Sequence, residues 1–132
     1  MDKNEKSLGE IVLIEYKTEL TKDDAIFFMD MVASVWSPNF VSKLYKAKPY
    51  IKILTEKVSD NYKRFIGLYT AMSYLLSERE LIILNGIYGV NKERARLKSV
   101  AKLLNLSPER VRQIRNEAEK KIAKKLWVKL KD

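Results

Sequence analysis

A chain of 132 residues, 46% of them hydrophobic, is sized for one compact domain or two small ones. It has no cysteine and no histidine, which removes disulfides, thiolate nucleophiles, imidazole bases and the usual zinc ligands, so no catalytic residue, metal or other cofactor is expected. The net charge of +9 is unevenly placed: Met1 to Leu76 carries 11 Lys/Arg against 10 Asp/Glu, and Ser77 to Asp132 carries 15 against 7. A balanced half joined to a strongly basic half fits a polyanion-binding module with a second function attached, and equally a Lys-rich solvated surface.

No apolar run approaches the roughly 20 residues of a spanning helix, and the opening "MDKNEKSLGE" lacks the apolar core of a signal peptide. A cytoplasmic protein with no membrane partner is the expectation. Glycine and proline are scarce, so the fold should be mainly α. The exception is "EIVLIEYKT", whose length and β-branched content suit a short strand or extended arm, and also a buried helix segment. "TKDDAIFFMDMVASVWS" predicts a helix capped by Thr21, with acids in its first turn, stopping before Ser37-Pro38. Pro38 and Pro49 bracket "NFVSKLYKAK"; "YIKILTEKV" is amphipathic; Ser59 or Asp60 caps "NYKRFIGLYTAMSYLL". These last three read as short helices of a bundle.

Phe27, Phe28, Trp36, Phe40, Tyr45 and Tyr50 are better suited to core packing or a protein interface than to base stacking, because their neighbours are not consistently basic. Asp23, Asp24 and Asp30 resemble a carboxylate cluster, but acids at a helix N-terminus account for the first two.

The basic half opens with "SERE", in which Ser77 caps a helix and Glu80 reaches back to the Ser77 amide. "ERELIILNGIYG" places Leu81, Leu84 and Tyr88 on one side and ends at Gly89, suited to a left-handed cap. After the basic loop "VNKERARLK", the stretch "LKSVAKLLNLSPERVRQI" predicts a helix-turn-helix: Leu97 to Leu104, a turn through Asn105, and a second helix after Ser107 and Pro108. Ala101 allows close approach, Asn105 tolerates positive φ, and Leu106 plugs the angle between the helices. Val111, Ile114, Ala118 and Ile122 face a core, while Glu109, Arg112, Gln113 and Asn116 share the opposite face at i, i+3, i+4 and i+7. Guanidinium, amide and carboxylate tips at the front of such a helix are equipped to read base edges. Lys120, Lys121, Lys124 and Lys125 further along suit phosphates, or the helix dipole and solubility alone.

From "LSERELIILNGIYG" through "LKSVAKLLNLSPERVRQIRNEAEKKI", roughly Leu76 to Leu126, the chain resembles region 4 of bacterial sigma factors of the primary type, whose recognition helix reads the promoter −35 element. The "L-S-E-R-E" opening, the "YG" loop and "ERVRQI" together are more specific than a bare helix-turn-helix. The resemblance implies base reading or adjacent contacts by Glu109, Arg110, Arg112, Gln113 and Asn116, and phosphate contacts by Arg79, Arg96, Lys98, Ser107 and Lys120. It also implies that Leu81, Ile82 and Leu84 grip the flap of RNA polymerase core. Pro108 and Asn105 depart from the family's usual residues, so the preferred base sequence is expected to differ from the familiar element.

The first half shows no counterpart of the region that melts the −10 element. The expectation is a helical interaction or oligomerisation domain over residues 1–75, followed by a region 4-like DNA-binding domain over 76–132. Such a protein would be a small sigma-like transcription regulator of the kind a phage or mobile element carries, not an enzyme. It would bind double-stranded promoter DNA beside RNA polymerase core or a second sigma fragment, its first half serving a polymerase contact or a homo-oligomer. The alternative is an adaptor that uses the same fold to dock a protein or ribonucleoprotein partner.

Overall fold

The computed structural model describes residues 20–40 and 50–131. Among these there are six α-helices, one 3-10 turn and no strand. The helices are α1 (Lys22–Met31), α2 (Ile51–Thr55), α3 (Asp60–Met72), α4 (Glu78–Tyr88), α5 (Leu97–Leu104) and α6 (Pro108–Lys131). "EIVLIEYKT", with its strand or arm, lies outside the described residues, as do Tyr45 and nearly all of "NFVSKLYKAK". Among the described residues no helix is long and apolar enough to cross a membrane.

Thr21 and Asp24 form a capping box at the start of α1, and Asp23 and Asp24 sit in its first turn. Asp24 also pairs with Arg64 of α3 at 2.9 Å. The acids therefore serve the helix end and one interhelical tie. The helix ends earlier than its apolar pattern predicts. Ala33 takes a left-handed conformation at φ 54°, and the Ser34 amide returns to the Met29 carbonyl at 2.9 Å. Asp30 then organises the following loop, accepting from the Ser37 hydroxyl and from Asn39 Nδ2 at 3.2 Å. A carboxylate satisfied by residues seven and nine positions ahead holds the chain in turns where the apolar pattern alone would continue the helix.

Ser59 caps α3 by accepting from the Tyr62 amide at 3.1 Å. Facing residues of α3 and α4 build an aromatic core around Tyr88. The Phe65 and Tyr69 rings meet it edge-on at centroid distances of 4.9 and 5.0 Å, and Tyr50 approaches at 6.3 Å. Edge-to-face geometry suits the ring quadrupoles while burying large apolar area. The same contiguous core runs from Ala25 of α1 to Leu126 of α6, so both halves of the chain contribute to it.

Ser77 and Glu80 form the expected capping box of α4, and Gly89 closes it at φ 69°. A Cβ at Gly89 would lie 3.0 Å from both Arg94 Cγ and the Lys92 carbonyl oxygen, so only glycine fits without strain. The loop beyond is fastened from several sides: Lys57 Nζ donates to the Gly89 and Lys92 carbonyls at 2.8 and 2.6 Å, and the Tyr62 hydroxyl donates to the Tyr88 carbonyl at 2.8 Å.

Glu80 is also an electrostatic anchor for α6. Its Oε1 accepts from the Ser77 amide at 2.9 Å and from Lys121 Nζ at 2.8 Å. Burial opposes ionisation, but the Lys121 bond and the Ser77 amide outweigh it and hold the carboxyl below its ordinary value. A depressed folded-state pKa contributes stability above the unfolded value that is lost as pH falls through the folded one. Glu80→Gln, which preserves the capping box, should therefore flatten the decline in the urea midpoint between about pH 5 and pH 3. An equally steep decline in the variant would show that Glu80 is not the group responsible.

Candidate nucleic-acid interface

The α5–α6 corner is set by local chemistry. Asn105 ends α5 in the left-handed region at φ 57°, and the Leu106 amide returns to the Ala101 carbonyl at 2.9 Å. Ala101 is buried and Leu106 packs against the core. The Ser107 hydroxyl then accepts from the Arg110 amide at 3.0 Å, opening α6 with proline in its first turn. Val111, Ile114, Ala118 and Ile122 are at most 2% exposed, so the inward stripe lies where its spacing predicts.

On the other side Glu109, Arg112 and Gln113 are exposed, Arg110 and Asn116 half-buried. Glu109 accepts from Arg112 Nε at 3.0 Å, from Arg112 Nη2 at 2.5 Å and from Gln113 Nε2 at 3.4 Å. Arg110 Nη1 donates to Gln113 Oε1 at 3.3 Å. The Arg112 bonds hold the Glu109 carboxyl below its ordinary range, and the same pairing raises the Arg112 value. Exposed pairs of this kind contribute little to stability and can be exchanged for an outside partner at low cost.

Two hollows lie beside the opening and middle turns of this helix. One, of about 490 Å³, is lined in part by Arg94, Arg96, Lys98, Pro108 and Arg115. It brings Arg96 and Lys98 together and adds Arg94 and Arg115, which the sequence reading did not single out. Arg115 was detectable, lying one turn beyond Arg112. Arg94 carried no periodic signal; the fold around Gly89 delivers it, with Nε donating to the Ile87 carbonyl at 3.2 Å. The other hollow, of about 310 Å³, is lined by the loop after α1, Trp36 included, and by residues of α6 that include Arg112, Asn116 and Lys120. Arg79, exposed on α4, lines neither hollow. Ser107 is exposed, and its hydroxyl oxygen already caps α6.

Of the apolar trio on α4, Leu84 is fully buried and offers no surface to another molecule. Leu81 and Ile82 remain half-exposed. Phe28 and Tyr50 are core residues, while Phe27, Trp36 and Phe40 are only partly covered.

Glu119 was also missed. It is 2% exposed on the inward side of α6, and its Oε2 accepts from the Tyr50 hydroxyl at 2.7 Å and the Tyr88 hydroxyl at 2.6 Å. Burial and then the nearby Glu119 charge push both tyrosines well above their ordinary values, which keeps the hydroxyls protonated as donors. The available signal was an acid beside the apolar positions Ala118 and Ile122. Compared with known protein families, with curated proteins and with solved structures, the chain matches none.

Proposed function

We propose that this chain is a sigma-like DNA-binding transcription regulator that recognises promoter duplex through a helix-turn-helix formed by α5 and α6. The observation that carries this reading is the strip of Glu109, Arg112 and Gln113, exposed on the opening turns of α6 while the opposite face of the same helix is buried. Guanidinium pairs bidentately with guanine, a carboxamide with adenine, and a carboxylate accepts from the cytosine amino group. Arg110 and Asn116 border the strip; Arg96, Lys98, Ser107, Lys120 and the more distant Arg79 serve phosphates. Leu81 and Ile82 supply the apolar contact to RNA polymerase core or a second sigma fragment. The first half provides a separate surface for polymerase or for a second copy, and the protein acts without catalysis.

Selection of bound sequences from a random duplex pool should return one preferred site. Gln113→Ala should then cost about 1–3 kcal/mol on that site and little on random DNA, as expected for the loss of a base contact. Recovery of no motif, or equal losses on both duplexes, would show that the strip does not read sequence.

A further inference from the structure

The hollow of about 310 Å³ beside α6 has two unlike walls: Val35 and Trp36 from the loop after α1, and Arg112, Arg115, Asn116 and Lys120 from the helix. We propose that it is a binding site for one nucleotide unit, with the phosphate on the cationic wall and the flat base against the loop. The size is at the lower end of small-ligand pockets, which begin near ~300 Å³. Cations select an anion and form charge-assisted hydrogen bonds with phosphate oxygens. An aromatic wall opposite them gives a base a surface to lie on.

The charge balance favours an anion. Glu119 also lines the hollow, but its Oε2 already takes two tyrosine hydroxyls, and it stands against three cations. Arg112 is held by Glu109 through an exposed pair that exchanges readily. Asn116 Oδ1 accepts from Arg115 Nε and Nη2, each at 3.3 Å, which places a carboxamide beside the guanidinium, able to meet a base edge.

The loop wall is pre-organised. Asp30 gathers Ser37 and Asn39, the Trp36 amide donates to Ser34 Oγ at 3.2 Å, and the Ser37 amide donates to the Ser34 carbonyl at 3.0 Å. A wall fixed before binding has little ordering cost to meet when the ligand arrives. The site shares Arg112, Asn116 and Lys120 with the proposed duplex face, and goes beyond that reading in its ligand, one nucleotide, and in its loop wall, which comes from the first half of the chain.

The test is calorimetric titration of the full chain with AMP, adenosine, inorganic phosphate and oligothymidylate, with tryptophan fluorescence followed in parallel. AMP should saturate, and adenosine and phosphate, each satisfying one wall, should bind at least about tenfold more weakly. Lys120→Ala, at an exposed position, should weaken AMP about tenfold without changing thermal unfolding. Trp36→Phe should abolish the fluorescence response, and Trp127→Phe should retain it. Saturation by oligothymidylate but not AMP, with the same variant losses, assigns the nucleotide to a strand instead of a free ligand. Phosphate binding as tightly as AMP, no saturable binding by AMP or oligothymidylate, or binding indifferent to both Lys120→Ala and Trp36→Phe would overturn the proposal.

Discussion

Glu119→Ala is expected to destabilise the fold by about 3–5 kcal/mol, the range for leaving buried polar partners of a carboxylate uncompensated. The carboxylate is 2% exposed and takes the hydroxyls of Tyr50 and Tyr88 on one oxygen. Removing it strands two hydroxyls in a core where burial already disfavours their ionisation and water is scarce. Tyr50→Phe and Tyr88→Phe should each cost less, about 0.5–3 kcal/mol, because each removes the donor together with its need for a partner. Urea unfolding of the three single variants, and of the Glu119→Ala/Tyr50→Phe pair, gives the coupling directly. A loss below about 1 kcal/mol for Glu119→Ala would mean that the carboxylate does not hold α6 to the core.

This tie also explains how the outward strip of α6 is aimed. Ile114, Ala118 and Ile122 choose which face turns inward, but apolar side chains tolerate small rotations and slips. Two short hydrogen bonds from tyrosines on different segments do not, since they weaken steeply with distance and angle. The Lys121–Glu80 pair adds a second fastening between α6 and the start of α4. Arg112 and Gln113 are thereby projected from a helix fixed at both an acidic and an apolar contact.

Features governed by neighbouring residues were legible in the sequence. The Ser77–Glu80 box, the Gly89 cap, the Asn105 turn and the Ser107–Pro108 start each depend on residues within a few positions, and each is found where its pattern predicts. The exposed strip followed from helical periodicity for the same reason. The end of α1 was not legible, because "MVASVW" continues an apolar helical pattern and the stop comes from Asp30 recruiting Ser37 and Asn39. Nor were the hollows: one needs the Trp36 loop beside a helix some 80 positions later, and the other needs Arg94 folded back beneath α4. Leu84 and Leu81 are both apolar residues of α4, and only the packing of neighbouring helices separates a core residue from a half-exposed one.

Duplex affinity of the full chain is expected to fall steeply with salt, and the slope assigns the contact to the basic half. If Arg79, Arg96, Lys98 and Lys120 each neutralise a phosphate, log K should change with log salt by about −3.6, or roughly a hundredfold between 50 and 200 mM. Lys98→Ala should reduce the slope by about one unit on specific and random duplexes alike, since a phosphate contact carries no base information. Lys63→Ala, at an exposed position of α3 in the balanced half, should leave it unchanged. The comparison belongs in the full chain because α1 and α3 cover the Tyr88 core, and a fragment beginning near Leu75 would expose that surface and confuse unfolding with lost affinity. Fluorescence anisotropy across a salt series reads all three proteins. A flat dependence, or a slope lowered by Lys63→Ala and not by Lys98→Ala, would move the nucleic-acid contact away from the groove beside α5 and α6.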